Sequence, residues 1–208
     1  MNKEIVYSLR KTKLIGSTID LIPYSDKYER EVIRLRNQQV NRYFLNQDFE
    51  LTLTSQKEWY EKYLGRNNDI YYLVQNKEGN VIGTNALYDI DFKENLCEKG
   101  RQIIDPSETL KGPYALEAEL MILDIAFNVL GCNQIIAKIR QDNGKVLNMN
   151  KRLGLKIKDS VLVREIPYFV LELKKSSYKP DQFKKIIDHW CQRMRILSGG
   201  QNDSISRS

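Results

Sequence analysis

The chain is almost without histidine: His189 is the only one. A serine–histidine triad would have to rest on that residue, which lies near the C-terminal end of a helix-forming stretch and reads as a surface position. Cysteine is nearly as scarce. Cys97, Cys132 and Cys191 are odd in number and far apart, which argues against a disulfide framework and for a reducing cytoplasm. No Cys or His pair has ligand spacing, so no metal is expected. No apolar run approaches the ~20 residues that cross a bilayer. The start, MNKEIVYSLRKTK, lacks the apolar core of a secretory signal. The expectation is a cytoplasmic protein without membrane insertion.

What is present fits a folded globular chain. At 208 residues, with 41% apolar and 29% charged residues, it is expected to form one domain with a real core. Lys and Arg outnumber Asp and Glu by 33 to 27, giving a net charge of +6. That excess implies an anionic partner, with nucleic acid, a phosphorylated cofactor and a sugar nucleotide as candidates. The basic residues are scattered, and neither an aromatic-and-basic RNA-binding strand nor finger spacing occurs. Nucleic acid is therefore not expected.

Hydropathy patterning yields a run of elements. STIDLIPY (17–24) alternates as a strand. Ser25 is placed to cap one long helix over 26–45, with Val32, Leu35 and Val40 on its apolar face. Thr54 or Ser55 is placed to cap a second helix containing Trp59, Tyr60 and Tyr63. Two β-rich runs flank Lys77-Glu78-Gly79-Asn80 and read as a hairpin. KGRQIIDP (99–106) is a strand, followed by LKGPYALEAELMILDIAF (110–127), a loop and a long apolar helix stopped by Gly131. A strand (133–140), a short helix ending at Gly154, and two β runs around Pro167 complete an α/β or α+β mixed sheet. The domain is expected over 1–178, an amphipathic helix over 179–197 and a disordered tail over 198–208. Phe183, Ile187, Trp190 and Met194 share a face of that helix, for packing on its own sheet or for a homodimer contact.

The stretch Lys111-Gly112-Pro113 has a chemical implication. The first-turn amides of a buried helix lack intrahelical partners. Pro113 suits a first turn, and Gly112 permits close approach of a ligand to the backbone. The amides of Tyr114, Ala115 and Leu116, with Lys111 nearby, could hold a phosphate, or the segment is an ordinary strand-to-helix turn.

Residues 82–156, from IGTNALYDID through LKGPYALEAE to DNGKVLNMNKRLGLK, resemble the core of the GNAT acetyltransferase superfamily. The resemblance implies a central mixed, mostly antiparallel sheet, splayed between two parallel strands and flanked by helices. It implies acetyl-CoA as co-substrate. Leu110, Lys111, Gly112, Pro113, Tyr114 and Ala115 align with the family's pyrophosphate loop Q/R-x-x-G-x-G/A, with leucine for the first residue and Pro113 for the first glycine. Asn143 aligns with an asparagine that contacts the cofactor arm. The amides near Ile103 and Ile104 correspond to those that polarise the thioester carbonyl. Glu98 aligns with a carboxylate able to take the amine's proton, with Asp89 and Asp91 as rivals. Asn150 aligns with the tyrosine that usually protonates the thiolate. An amide orients the sulfur at most, so the proton comes from water or from another tyrosine such as Tyr114 or Tyr168.

Residues 35–64 resemble the front of a subgroup that acetylates amino sugars carried on nucleotides, the pseudaminic acid pathway type. That implies a small anionic acceptor, bound by Arg36 and Arg42 with Trp59 or Tyr88 against a sugar or base, in surface-polysaccharide or flagellin-glycan synthesis. The alternatives are a GNAT acting on a protein N-terminus, a polyamine or an antibiotic, and a non-catalytic CoA-binding module.

Overall fold

The computed structural model describes residues 2–199. Among them, eight strands form one sheet: β1 (Leu14–Ile15), β2 (Ile19–Pro23), β3 (Ile70–Asn76), β4 (Val81–Asp91), β5 (Leu96–Ile104), β6 (Gln134–Arg140), β7 (Lys156–Val163) and β8 (Ile166–Lys174). The helices are α1 (Asn2–Leu9), α2 (Glu29–Asn37), α3 (Gln39–Phe44), α4 (Leu53–Gly65), α5 (Tyr114–Asp124), α6 (Gly144–Arg152) and α7 (Asp181–Gly199). The sheet order is β1-β2-β3-β4-β5-β6-β8-β7. Every neighbour is antiparallel except β5 and β6, which run parallel. This is the mixed, mostly antiparallel sheet expected from the sequence. No described helix is long and apolar enough to cross a membrane.

Period-two alternation sends successive side chains to opposite faces of the sheet. On β3, Ile70, Tyr72 and Val74 join a core with Val6 of α1, Ala118 and Leu123 of α5, Leu147 of α6 and Ile187 of α7. Tyr71 and Leu73 face the other way, into a smaller core with Tyr24, Val32 of α2 and Tyr63 of α4. Helices α5 and α6 thus lie on one face, and α2 and α4 on the other. Each fully buried Leu or Ile stabilises by about 1.5–3 kcal/mol relative to exposure.

Several boundaries differ from the sequence reading, each for a local reason. The long helix expected over 26–45 breaks at Gln38, whose backbone is extended (ψ 132°). Asparagine side chains stabilise the break: Asn41 Nδ2 donates to the Leu35 carbonyl, and Asn37 exchanges two hydrogen bonds with Leu51. Val40 consequently faces solvent. Ser25 makes no side-chain cap. Helix α4 is capped by Thr52, which forms a reciprocal box with Ser55. The last hairpin turns at Arg164–Glu165, both with positive φ (48° and 65°), and Pro167 lies inside β8. On α7, Ile187 is buried and Phe183 and Cys191 pack on the core, whereas Met194 points to solvent. The tail expected to be disordered over 198–208 falls almost wholly outside the described residues.

The Thr52–Ser55 box satisfies two amides at the start of α4, the helix that carries Trp59. Thr52→Ala is expected to lower stability by about 1 kcal/mol, read as a lower denaturation midpoint at unchanged slope.

Candidate active site

The sheet opens at its only parallel seam. The β5–β6 ladder holds three pairs, ending at Glu98↔Ile136. Beyond it β5 continues to Ile104 and β6 to Arg140 without pairing to each other. On its other side β5 carries a bulge: Gly100 pairs with Ala86 and Ile103 with Thr84, leaving Arg101 and Gln102 without a ladder partner. Arg101 has a positive φ of 52°, the left-handed conformation that accompanies such an extra residue. Buried backbone amides need acceptors, so a parted seam with a bulge beside it can receive an extended ligand.

Two clefts meet there. The wider, about 550 Å³, is lined by Arg36, Gln47, Trp59, Tyr71, Tyr88, Glu98, Gly100, Arg101, Lys138, Arg164 and Tyr168, among others. The narrower, about 120 Å³, runs between the strands and is lined by Lys99 to Ile103, Glu119, Ala137 to Arg140, Asn143, Val146, Asn150 and Tyr168.

Glu98 sits at the vertex with its side chain on the wider cleft. It is 8% exposed, accepts from Tyr88 Oη at 2.8 Å and pairs with Lys138 Nζ at 2.6 Å. Burial, and then the Glu98 charge, push the Tyr88 hydroxyl well above its usual range, so it remains a donor. Gly100 is required here: a Cβ would stand 2.7 Å from Tyr88 Oη. Arg101 binds Asp69 with both nitrogens, at 2.7 and 3.1 Å, and lies 4.3 Å from the Tyr88 ring centroid. Burial opposes its charge, but Asp69 raises its pKa overall.

Of the predicted acceptor residues, Arg36, Trp59 and Tyr88 line the wider cleft. Arg36 donates to Gln47 Oε1 at 3.1 Å and forms no ion pair among the described residues. Arg42 does not join them. It pairs with Glu50 at 3.0 Å, because the break at Gln38 turns α3 away from the line of α2. Trp59 stacks on Tyr63 (5.2 Å, 11°). The rival carboxylates stay at the hairpin: Asp89 is exposed and Asp91 accepts from Lys93 and Glu94.

On the other face, the amides of Tyr114, Ala115 and Leu116 have no acceptor among the described residues, and Pro113 at the helix start supplies no side-chain cap. Lys111, at the surface, pairs with Glu108 at 2.8 Å. Gly112 lies under the Tyr114 ring, and neither cleft reaches Lys111, Gly112, Tyr114 or Ala115. Asn143 caps α6 by accepting from Val146 N. Asn150 donates to the Val146 carbonyl at 2.9 Å, while its Oδ1 is buried without a partner. Its orphaned atom is thus an acceptor, while Nδ2 keeps a second N–H. Ile103 lines the narrow cleft; Asp105 N donates to the Ile82 carbonyl on β4, so alternation turns the Ile104 amide toward the open seam. Arg101 and Gln102, just before them, have no register partner on β4, and the Arg101 carbonyl accepts from Thr84 Oγ1 at 2.6 Å.

Sequence reasoning missed several polar groups. Lys138 reaches Glu98 through the parallel pairing of β5 and β6, and Arg101 reaches Tyr88 across the antiparallel β4–β5 pairing, neither of which a local pattern announces. Lys99 and Glu119 form an ion pair at 4% and 1% side-chain exposure. Breaking such a pair by removing one partner typically costs about 3–5 kcal/mol. A third group ties α3 over the seam: Arg140 binds Asp142 twice, Tyr43 Oη donates to Asp142 at 2.6 Å, and Arg140 donates to the Tyr43 carbonyl at 3.0 Å.

Residues 19–156, well over half of the chain, match the family model described as acetyltransferase (GNAT) domain. No curated protein sequence matched. Among solved structures, FdhC, described as a nucleotide-linked sugar GNAT in its apo form, superposes with a TM-score of 0.72 at 22% identity, covering 85% of this chain and 98% of that one. The spermidine N-acetyltransferase of Vibrio cholerae, in complex with CoA and spermine, gives 0.71 at 20% identity over 78% and 99%. A GCN5-related N-acetyltransferase from Brucella melitensis gives 0.71 at 19% over 87% and 86%. At these identities the likenesses speak to fold.

Arg140, and then Tyr43, lower the Asp142 carboxyl to a pKa of about 2. A depressed carboxyl contributes above its unfolded value and loses that contribution as pH falls through the folded one. The Tyr43–Asp142–Arg140 clasp should hold at neutral pH and release between about pH 4 and 2. NMR shifts of the Arg140 Nε–H should report this, and Asp142→Asn should show the released signals at neutral pH.

Proposed function

The chain belongs to the GNAT family, an N-acetyltransferase that uses acetyl-CoA, and we propose that its acceptor is the amino group of a nucleotide-linked amino sugar. The observation that carries this is the lining of the wider cleft. Arg36, Arg101, Lys138 and Arg164 face it against one carboxylate, Glu98. Arg36, lacking an acidic partner, is available to a diphosphate, and Trp59, Tyr71 and Tyr88 offer rings to a sugar or base. The likeness to a nucleotide-linked sugar GNAT agrees with this.

A polyamine is the competing acceptor, since a spermidine acetyltransferase shares the fold equally well. Two like charges 4 Å apart repel by about 4 kcal/mol at an effective dielectric constant of 20. A polycation entering this cleft would meet Arg36, which has no acidic partner among the described residues, whereas Arg101, Lys138 and Arg164 are each already paired with a carboxylate. The product of the preferred reaction would serve surface-polysaccharide or flagellin-glycan assembly.

Acetyl-CoA, when bound, supplies an acetyl group activated as a thioester. The uncapped start of α5 and Lys111 are suited to its diphosphate. The orphaned Asn150 Oδ1 suits a donor on its arm, with Asn143 nearby. Glu98 receives the amine's proton, oriented by Tyr88 and Lys138. The amides of β5 that face the open seam, between the bulge at Arg101 and Ile104, would be placed to polarise the thioester carbonyl, a kind of contribution worth about 2.7–4 kcal/mol per donor in well-studied cases.

Thiol release from acetyl-CoA should be measured with a panel of nucleotide-linked amino sugars and with spermidine. Turnover of the sugars is expected. Arg36→Met should raise KM about 10–100-fold with a smaller change in kcat, as befits a charge-assisted contact. Glu98→Gln should lower kcat about 10²–10⁴-fold. Efficient turnover of spermidine, with none of the sugars, would overturn the assignment.

A further inference from the structure

The chemistry above leaves the polar floor of the narrow cleft unused. Lys99 directly follows Glu98, the last residue of β5 to pair with β6, so it stands where the strands begin to part. Its Nζ is held by a carboxylate oxygen of Glu119 on α5, and Asn85 Nδ2 lies 3.5 Å from the other oxygen. Alternation along β5 puts Lys99 on the α5 face, opposite Glu98. Lys99, Glu119 and Asn150 line the same cleft. An ammonium has three N–H donors, and the bond to Glu119 is the only one that Lys99 Nζ makes among the described residues. Replacing such a pair by apolar residues of similar volume is often neutral or stabilising, so stability alone does not account for it.

Given the acetyltransferase reading, on which this rests, chain direction says what lies beside Lys99. Strand β5 runs toward the loop that precedes the open helix start. A ligand whose diphosphate sits at that start therefore extends back along β5, and its thioester end reaches the vertex. A sulfur leaving there needs a partner. Asn150 is neutral and cannot serve as an acid near neutral pH or offset the charge of a thiolate.

We infer that the Lys99 ammonium, fixed by Glu119, receives the thiolate released in acetyl transfer. The amine nitrogen forms the new C–N bond, and the C–S bond breaks with its electron pair passing to sulfur. The amine's proton goes to Glu98 and from there to water. The sulfur anion accepts a hydrogen bond from Lys99 Nζ and takes its proton from water on release, so Lys99 ends as it began. The other charges facing this cleft are Arg101, Lys138 and Arg140, already paired with Asp69, Glu98 and Asp142, together with the ionisable Tyr168.

The test uses free CoA and an analogue whose thiol is replaced by hydrogen, titrated against the unaltered protein across neutral and mildly alkaline pH. The affinity ratio of CoA to analogue should climb about tenfold per pH unit between the thiol's pKa in the complex and its value in solution. A flat ratio would overturn the inference while leaving the acetyltransferase reading intact. Failure of both compounds to bind would sink both. The double variant Lys99→Met/Glu119→Met removes the pair without orphaning either charge and should flatten the ratio. A rise that survives in the double variant, or that vanishes instead in Tyr168→Phe or Lys138→Met, would also overturn it.

Discussion

The site depends on β6 leaving β5 after three residue pairs. A sheet interrupted in its middle exposes two rows of backbone donors and acceptors, which a protein otherwise pairs or covers. Here the antiparallel neighbours β4 and β8 hold the two strands from outside, so the seam stays open without unravelling. The bulge at Arg101–Gln102 adds an unpaired stretch on the same strand. Apart from Arg42 and the hairpin carboxylates Asp89 and Asp91, the candidate groups lie at the vertex of this opening, along its walls, or at the helix start to which β5 leads.

Charge follows the same division. On one face Glu98 is flanked by Tyr88 and Lys138; on the other Lys99 is matched with Glu119. Arg101 is bound to Asp69, and Arg140 to Asp142. Because nearly every cation near the seam already has a carboxylate, the field an acceptor meets is set by the exception, Arg36. Net charge, +6 for the whole chain, says little about where that exception lies. A buried pair such as Lys99–Glu119 also acts at low dielectric, where its direction matters more than its sum.

Much of the fold was legible because periodicity and turn chemistry are local. The β3–β4 hairpin follows from Lys-Glu-Gly-Asn between two β-rich runs, and α5 from its apolar repeat. The misreadings arose where a distant group overrode the local pattern. Asn37 and Asn41 split one helix into two by bonding to backbone that periodicity cannot see, and this carried Arg42 away from the cleft while leaving Arg36 in it. The hairpin tip at Arg164–Glu165 has no glycine or asparagine to announce it, and the turn-like residue nearby, Pro167, lies inside β8. Of the residues lining the wider cleft, Glu98, Arg36, Trp59 and Tyr88 were legible in the sequence. Lys138 needed the parallel register of β5 and β6, Lys99 the packing of α5 on the sheet and Arg101 the antiparallel pairing with β4, all of which belong to topology and not to any window of sequence.

The tip of the β7–β8 hairpin places two side-chain-bearing residues in left-handed backbone, where each such residue costs about 1–2 kcal/mol and where Asn-Gly would sit at ease. Arg164 at that tip lines the mouth of the wider cleft. The same two positions therefore answer to opposed demands. A sequence chosen for durability would relax the turn and erase a cation from the entrance, so selection for thermal endurance and selection for capture of an anionic guest would pull this corner of the molecule in contrary directions.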